Sequence, residues 1–314
     1  MDLLGVILMC VGLIVLLFFA AVYLCFYLAF YVPRRGKTEE EFTLPKGKAY
    51  EPHYQKMLAL IRETKNMPHK EFCITSFDGI PLHAKFYEYE KGAPIELMIH
   101  GYRSSAERDL CGGVKRCFKL GRSAFVVDQR TSGKSGGNII SFGINESRDC
   151  EKWIDLIIRH FGSDSKIIIT GISMGAATAL ITAGKDLPEN VIGALADCGY
   201  TSAKDIIKKV IRDMKLPANL LYPLVKLGAK IFGGFNLEET SPEEAMKKCK
   251  IPVIFIHGEA DNFVPYEMSK INYDVCTAPK KLVTFEGAAH GLSYLTDENK
   301  YLTEVKAFER EMNL

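Results

Sequence analysis

The segment from Lys166 to Ala177, KIIITGISMGAA, constrains the fold of this chain more than any other stretch. It begins with the β-branched run from Ile167 to Thr170, which predicts a strand, and continues into an alanine-rich run that predicts a helix. The turn between them reads G-x-S-x-G, with a glycine two residues before and two residues after Ser173. A strand that turns so sharply into a helix brings these two positions too close together for side chains. The pattern therefore predicts a serine presented as a nucleophile at the carboxyl end of a strand.

A second G-x-S-x-G sequence lies at Gly133 to Gly137. The motif alone is weak, because with glycine near 7% of residues it arises by chance about 0.1 times in a chain of this length. The second copy does not directly follow a predicted strand, and the residues after it do not begin a convincing helix. We interpret it as a glycine-rich loop and place the candidate nucleophile at Ser173.

The composition narrows the classes of function. The 314 residues suit one large α/β domain with a small appendage, or two domains. The formal net charge of +2 gives no sign of a basic surface that would bind nucleic acid. The nine cysteines are scattered, without the paired spacing of a metal site. We predict reduced thiols, no metal and no cofactor.

The N-terminal segment from Leu3 to Val32 contains no charged residue. As a helix it would be about 45 Å long, against a hydrocarbon core of about 30 Å. A cleaved signal peptide is the alternative, but no basic stretch precedes the segment and no A-x-A site follows it. The basic sequence at 34–37 directly follows it, which predicts a cytoplasmic catalytic domain. We predict a single-pass membrane anchor over residues 1–33 and a polar linker over 34–50.

The remaining chain, residues 51–314, alternates strands and helices after an initial hairpin around Asp78 and Gly79. This order predicts a mostly parallel, doubly wound sheet, with the active site at the carboxyl ends of its strands. Between about residues 200 and 245 two amphipathic helices interrupt the alternation. The sequence predicts that this insertion forms a helical cap.

The chemistry of a serine nucleophile requires partners. A serine hydroxyl needs a base to take its proton, and a histidine needs a carboxylate to hold it in the correct tautomer. Asp261 and His290 lie in loops after two late strands, so the chain order is Ser173, Asp261, His290. Asp197, at the end of another predicted strand, is the alternative acid.

From about Glu71 to the C-terminus the chain resembles the α/β-hydrolase superfamily of serine hydrolases. The resemblance rests on GISMG, GEADNFVP, GAAHG, HGYRSS and DQRTSGKSGG. It is greatest to bacterial membrane-anchored members related to the serine-aminopeptidase and acylglycerol-lipase-like branches. The resemblance implies a catalytic triad and an oxyanion hole with these members: Ser173 as nucleophile, Asp261 as acid, His290 as base, and the backbone amides of Tyr102 and Met174.

Together these features predict a serine hydrolase that cleaves an ester, as a carboxylesterase or a lipase-like enzyme, through an acyl-enzyme intermediate. The expected substrate is a small-molecule or lipid-like acyl compound, and apolar side chains under the cap would suit an acyl chain. A peptidase of the same fold is one alternative, although this cap is mostly basic where acidic groups would bind a free amino terminus. A non-catalytic membrane-tethered binding protein is the other, and the sequence does not specify an oligomeric state.

Overall fold

The computed structural model describes residues 2–33 and 44–313. Most of the predicted linker, including the basic sequence at 34–37, lies outside the described residues. The predicted boundaries at residues 33 and 50 therefore stay predictions.

An eight-stranded sheet forms the centre of the molecule, in the order β1-β2-β4-β3-β5-β6-β7-β8. Its strands are β1 Lys70–Thr75, β2 Pro81–Tyr87, β3 Ile95–Ile99, β4 Ser123–Asp128, β5 Ile167–Ile172, β6 Val191–Asp197, β7 Val253–Gly258 and β8 Lys280–Phe285. The first two form the expected hairpin, β2 also pairs antiparallel with β4, and the later pairs are parallel. The sheet is therefore mostly parallel and doubly wound, as the sequence predicted.

Twelve α-helices and one short 3₁₀ helix, Glu51–His53, accompany the sheet within the described part of the chain. The α-helices are α1 Leu3–Ala29, α2 Tyr54–Lys65, α3 Ala106–Asp109, α4 Gly113–Lys119, α5 Ile144–Phe161, α6 Met174–Ala183, α7 Ala203–Asp213, α8 Ala218–Ile231, α9 Pro242–Met246, α10 Tyr266–Val275, α11 Ser293–Thr296 and α12 Glu298–Met312. The sequence favoured one helix over 107–120, but the structure has two. Gly112 separates them because its φ of 79° is left-handed, a conformation that ends a helix.

Helices bury both faces of the sheet, as the runs of apolar residues in its central strands require. On one side Trp153 and Ile157 of α5 pack against β3, β4 and β5. On the other side Ile61 of α2 and Phe308 of α12 pack against the strands at the β8 edge. The carboxyl ends of the parallel strands stay free to carry the loops of the site.

The cap helices α7 and α8 form the insertion that the sequence predicts; α7 packs against α8, and α8 packs against α1. The apolar helix α1 is long enough to cross a membrane. Its buried side chains, Val22 and Phe26, are followed by the buried Phe30, so one face of its C-terminal end belongs to the core of the cap.

Candidate active site

Ser173 lies at the turn between β5 and α6, with φ 57° and ψ −119°. A Cβ on Gly171 would collide with the backbone of Gly175, and a Cβ on Gly175 would collide with the carbonyl of Ile99. The two glycines therefore let the start of α6 lie directly against β3 and β5. The Ser173 amide donates to the carbonyl of Asp197 at 2.8 Å, which ties the turn to β6.

The structure brings Ser173, His290 and Asp261 together from three separate loops. Ser173 Oγ lies 2.9 Å from His290 Nε2. His290 Nδ1 lies 2.7 Å from Asp261 Oδ2. A carboxylate only accepts hydrogen bonds, so Nδ1 carries the proton and Nε2 is left to accept the serine hydroxyl. This tautomer suits an imidazole that acts as a base toward Ser173.

Asp261 is buried yet held as a carboxylate. Burial alone would raise the pKa of its side chain, but hydrogen bonds with His257 and His290 hold that pKa well below its ordinary value. Its second oxygen, Oδ1, accepts the amides of Phe263 and Val264 at 2.9 Å each. The Asp261 side chain is therefore ionised, and its orientation is fixed by these hydrogen bonds.

Asp197, the alternative acid, has different partners. Its Oδ1 accepts the hydroxyl of Ser293 at 3.2 Å. Burial raises the pKa of its carboxyl to about 6. Because Asp261 is the carboxylate hydrogen-bonded to His290 Nδ1, the geometry favours Asp261 as the acid.

His257 also contacts Asp261, and no sequence motif singled it out. Its Nε2 donates to the carbonyl of Val264 at 2.9 Å and lies 3.3 Å from Asp261 Oδ2. Its Nδ1 lies 2.7 Å from the hydroxyl of Ser269. In the sequence, a histidine inside an apolar strand is typical of a core residue. The feature that could have indicated its contact with Asp261 is its position four residues before that aspartate. His257 restrains the loop that carries the acid.

The two amides expected to form an oxyanion hole belong to the residue after Ser173 and to a neighbouring loop. Met174 is the first residue of α6, so its amide has no acceptor within the helix. Tyr102 follows Gly101, where an added Cβ would lie 3.4 Å from Ser173 Cβ, so this loop passes beside Ser173. His100 braces the loop through Nδ1, 2.9 Å from the carbonyl of Gly101, and burial lowers its pKa. A neutral, buried His100 is a structural group here.

A cavity of about 390 Å³ opens beside Ser173 and His290. It lies between α2, the α3–α4 region and α11. Tyr50 lines it and donates its hydroxyl to the carbonyl of His290 at 2.9 Å. Among the described residues that line this cavity, none belongs to the 200–245 insertion. The expectation that apolar cap side chains would cover an acyl chain is therefore not supported.

The second G-x-S-x-G sequence is a loop, as expected. Ser135 donates its hydroxyl to the carbonyl of Asp128 at 2.6 Å and accepts the amide of His83 at 2.8 Å. Nearby, Arg130 forms a buried ion pair with Asp149 at 2.7 Å. These contacts brace the loop, and they give Ser135 no base.

One grouping of possible metal ligands occurs within the described part of the chain. Donor atoms of Cys198, Asp261 and His290 lie within 4.8 Å of one another. Burial raises the pKa of the Cys198 thiol well above its ordinary value, which keeps it protonated and disfavours it as a ligand. The absence of a metal and of a cofactor stays a prediction.

Comparison with protein families gives one match that covers more than half of the chain. The model of the dienelactone hydrolase family matches residues 147–313. The matched region begins within α5 and contains the turn at Ser173 and the loops that carry Asp261 and His290.

Individual proteins and solved structures also resemble this chain. Protein YqkD of Bacillus subtilis is 31% identical over 195 residues, which cover 62% of this chain and 64% of that protein. The membrane protein YNL320W of Saccharomyces cerevisiae is 27% identical over 190 residues, 57% of this chain and 58% of its own length. The matched segments thus span about three fifths of these relatives. The esterase Pf2001 of Pyrococcus furiosus superposes with a TM-score of 0.64 at 20% identity, over 87% of this chain and 99% of that one.

Proposed function

Because the chain belongs to the dienelactone hydrolase family of α/β-hydrolases, we propose that it is a serine hydrolase that cleaves carboxylic esters. The observation that carries the proposal is the hydrogen-bonded chain from Asp261 through His290 to Ser173. The fold it shares with solved esterases is compatible with this chemistry but does not select the substrate.

In the proposed acylation, Ser173 Oγ attacks the carbonyl carbon of the ester while His290 Nε2 takes the hydroxyl proton. The tetrahedral intermediate carries a negative charge on the former carbonyl oxygen. Amide donors such as those of Tyr102 and Met174 stabilise such a charge, and removal of one donor from comparable sites costs about 10² to 10³ in kcat. His290 then gives its proton to the leaving alkoxide, and the acyl group remains on Ser173.

Deacylation repeats these steps with water as the nucleophile. Water donates a proton to His290 Nε2 and attacks the acyl carbon, and the second intermediate collapses to release the acid. The proton returns to Ser173 Oγ, so the enzyme is regenerated. Asp261 stays ionised throughout and stabilises the imidazolium that forms in each half-reaction.

The volume and lining of the cavity favour a substrate whose acyl or alcohol group is of modest size. A volume of about 390 Å³ lies at the lower end of the range for small-molecule sites. Apolar side chains such as Met57 and Met98 line it together with the polar Thr170 and Arg116. A compact acyl compound fits this lining better than a long lipid chain.

The experiment that tests the function uses the full chain in detergent with a series of chromogenic 4-nitrophenyl esters. We expect hydrolysis by the unmodified protein and a loss of about 10⁴ to 10⁶ in kcat for Ser173→Ala. Ser135→Ala is the matched control, since Ser135 lies in the second G-x-S-x-G sequence. Full activity of Ser173→Ala, or a comparable loss in Ser135→Ala, would contradict the proposal.

We also propose that α1 anchors the enzyme in a membrane with the catalytic domain in the cytoplasm. The support is the apolar length of α1 and the basic sequence at 34–37 that follows it. External protease applied to intact cells should leave the catalytic domain uncut. Digestion of that domain without permeabilisation would show that the domain lies outside the cell and that the proposed orientation is wrong.

A further inference from the structure

The C-terminal end of α1 packs into the hydrolase domain as closely as a core helix. Gly228 of α8 faces α1 so closely that an added Cβ would lie 2.9 Å from both the Phe26 Cβ and the Val22 carbonyl oxygen. Phe232 contacts the rings of Tyr23 and Phe26, with centroids 5.1 and 5.8 Å apart. Small residues at a crossing let helix backbones approach, and this is how helices pack in membranes.

Hydrogen bonds also fix the end of α1 to the loops of the site. Tyr102 donates its hydroxyl to the carbonyl of Ala29 at 2.7 Å. The Arg103 guanidinium donates to the carbonyls of Leu28 and Tyr31 at 2.9 Å each. These carbonyls lie at and beyond the helix end, where a helix leaves its acceptors unpaired. The anchor is therefore joined rigidly to the candidate oxyanion loop.

The length of α1 indicates where its end lies relative to a bilayer. Its 27 residues extend for about 40 Å, whereas the hydrocarbon core is about 30 Å thick. About 20 residues from Leu3 reach across that core, which ends near Val22. Val22 is also the first α1 side chain that the domain buries fully. Gly228 crosses α1 at this level, so a span that begins at Leu3 would place α8 at the boundary between hydrocarbon and headgroups.

The free side of α8 carries an apolar stripe. Leu220, Leu224, Leu227 and Ile231 follow one another at spacings of four, three and four residues, which places them on one helix face. Leu220 is 68% exposed and Ile231 is 47% exposed. In the described chain outside α1, most exposed large apolar side chains cluster between residues 214 and 232: Met214, Leu216, Leu220, Ile231 and Phe232. The remaining ones are scattered over the domain.

Basic side chains accompany this stripe. Lys215 lies in the turn between α7 and α8, and Lys230 adjoins Ile231 near the end of α8. Both are exposed, and Lys226 on the same helix pairs with Glu238. Lysines beside a half-immersed helix can bury their stems and reach the phosphates of anionic lipids.

We propose that α8 lies in the lipid–water interface beside α1, with the stripe from Leu220 to Ile231 immersed in the bilayer. The occupant of this surface is the phospholipid bilayer itself. The inference depends on the proposed membrane span of α1, and it is independent of the hydrolytic chemistry. Its consequence is that the anchor and cap form one membrane-bound unit, which holds the loop of Tyr102 at a fixed height above the lipid.

The test uses the fact that the chain contains a single tryptophan, Trp153, which is 2% exposed in the core. A second tryptophan is introduced as Leu220→Trp, in the stripe. Ile271→Trp on α10 is the matched control, because Ile271 is 43% exposed but lies off the cap. Leu13→Trp, in the middle of the predicted span, is the positive control. Each full-length variant is reconstituted in vesicles whose phospholipids carry bromine either near the headgroup or near the chain end.

After subtraction of the Trp153 signal, Leu220→Trp should lose most of its added fluorescence to bromine near the headgroup. Leu13→Trp should be quenched mainly by bromine near the chain end, and Ile271→Trp should keep its emission with both lipids. If Leu220→Trp behaves like Ile271→Trp while Leu13→Trp is quenched, the cap lies clear of the bilayer and the proposal is wrong. An unquenched Leu13→Trp would also overturn it, because α1 would not span. None of these readings depends on activity, so a failure here is distinct from a failure of the proposed hydrolase.

Discussion

Exchange of Asp261 for asparagine should lower kcat by about 10⁴, the size of loss known for the acid of a serine triad. The structure supplies the reason. One oxygen of the side chain accepts two backbone amides, and the other accepts the proton of His290 Nδ1. An asparagine would keep its oxygen toward the two amides and turn its NH₂ toward His290. Nδ1 would then become the acceptor and Nε2 would carry the proton, so it could not take one from Ser173.

The same exchange at Asp197 should keep activity within about tenfold, because the partner of Asp197 Oδ1 is the Ser293 hydroxyl and an asparagine oxygen can accept it. Its main effect should be on stability. Burial raises the pKa of Asp197 from 3.8 to about 6. A raised carboxyl pKa gives stability that is present below 3.8 and is lost as the pH rises through about 6. Asparagine resembles the protonated form of aspartate at every pH. The free energy of unfolding of Asp197→Asn, minus that of wild type, should therefore be about 3 kcal/mol larger at pH 8 than at acid pH.

The assay compares both variants with wild type by ester hydrolysis and by thermal unfolding at pH 4 and pH 8, in one detergent. Asp164→Asn, at an exposed position, is the control for removal of a surface charge. If Asp197→Asn lost activity as fully as Asp261→Asn, the assignment of the acid would be wrong. A stability difference that does not change with pH would refute the reasoning about burial.

Three further substitutions test the tight turn at Ser173, the contact between α1 and α8, and the lining of the cavity. Gly171→Ala should abolish activity and lower Tm, because its methyl group would overlap the backbone of Gly175; retained activity would mean that the turn is looser than described. Gly228→Leu should lower the free energy of unfolding by about 1 to 3 kcal/mol because its side chain would overpack against α1. Gly12→Leu should leave Tm unchanged, because an added Cβ there has no neighbouring atom within 4 Å. Leu224→Asp should leave the preference for acyl-chain length unchanged in the ester series, because this side chain does not line the cavity; a selective loss on longer esters would show that it does.

Much of the fold could be predicted because the constraints are local. The β-branched run before Ser173 and the two glycines around it predict strand, turn and helix without knowledge of the rest of the chain. The order of strands and helices then predicts a parallel sheet, whose loops meet at one edge. That edge is where the structure brings Asp261 and His290 to Ser173.

The remaining features depend on contacts between distant segments, which no local pattern indicates. Phe26 and Phe30 look like lipid-facing residues of an anchor, yet they are buried against the cap. Tyr50 lies within the predicted linker, yet it reaches His290, 240 residues later. The walls of the cavity also come from distant segments, since Met57 of α2 and Tyr294 of α11 both line it. The sequence therefore predicts which side chains meet at this edge of the sheet, but not the walls of the cavity beside them.

The most direct test of the central claim is the site at which a fluorophosphonate probe reacts. The probe phosphonylates an activated serine, and the adduct is located by tandem mass spectrometry of the peptides of the full-length protein. We predict a single adduct on Ser173, absent from Ser173→Ala and greatly slowed in His290→Ala, since the hydroxyl then has no base. Reaction at Ser135, or labelling of Ser173→Ala at an undiminished rate, would contradict the account.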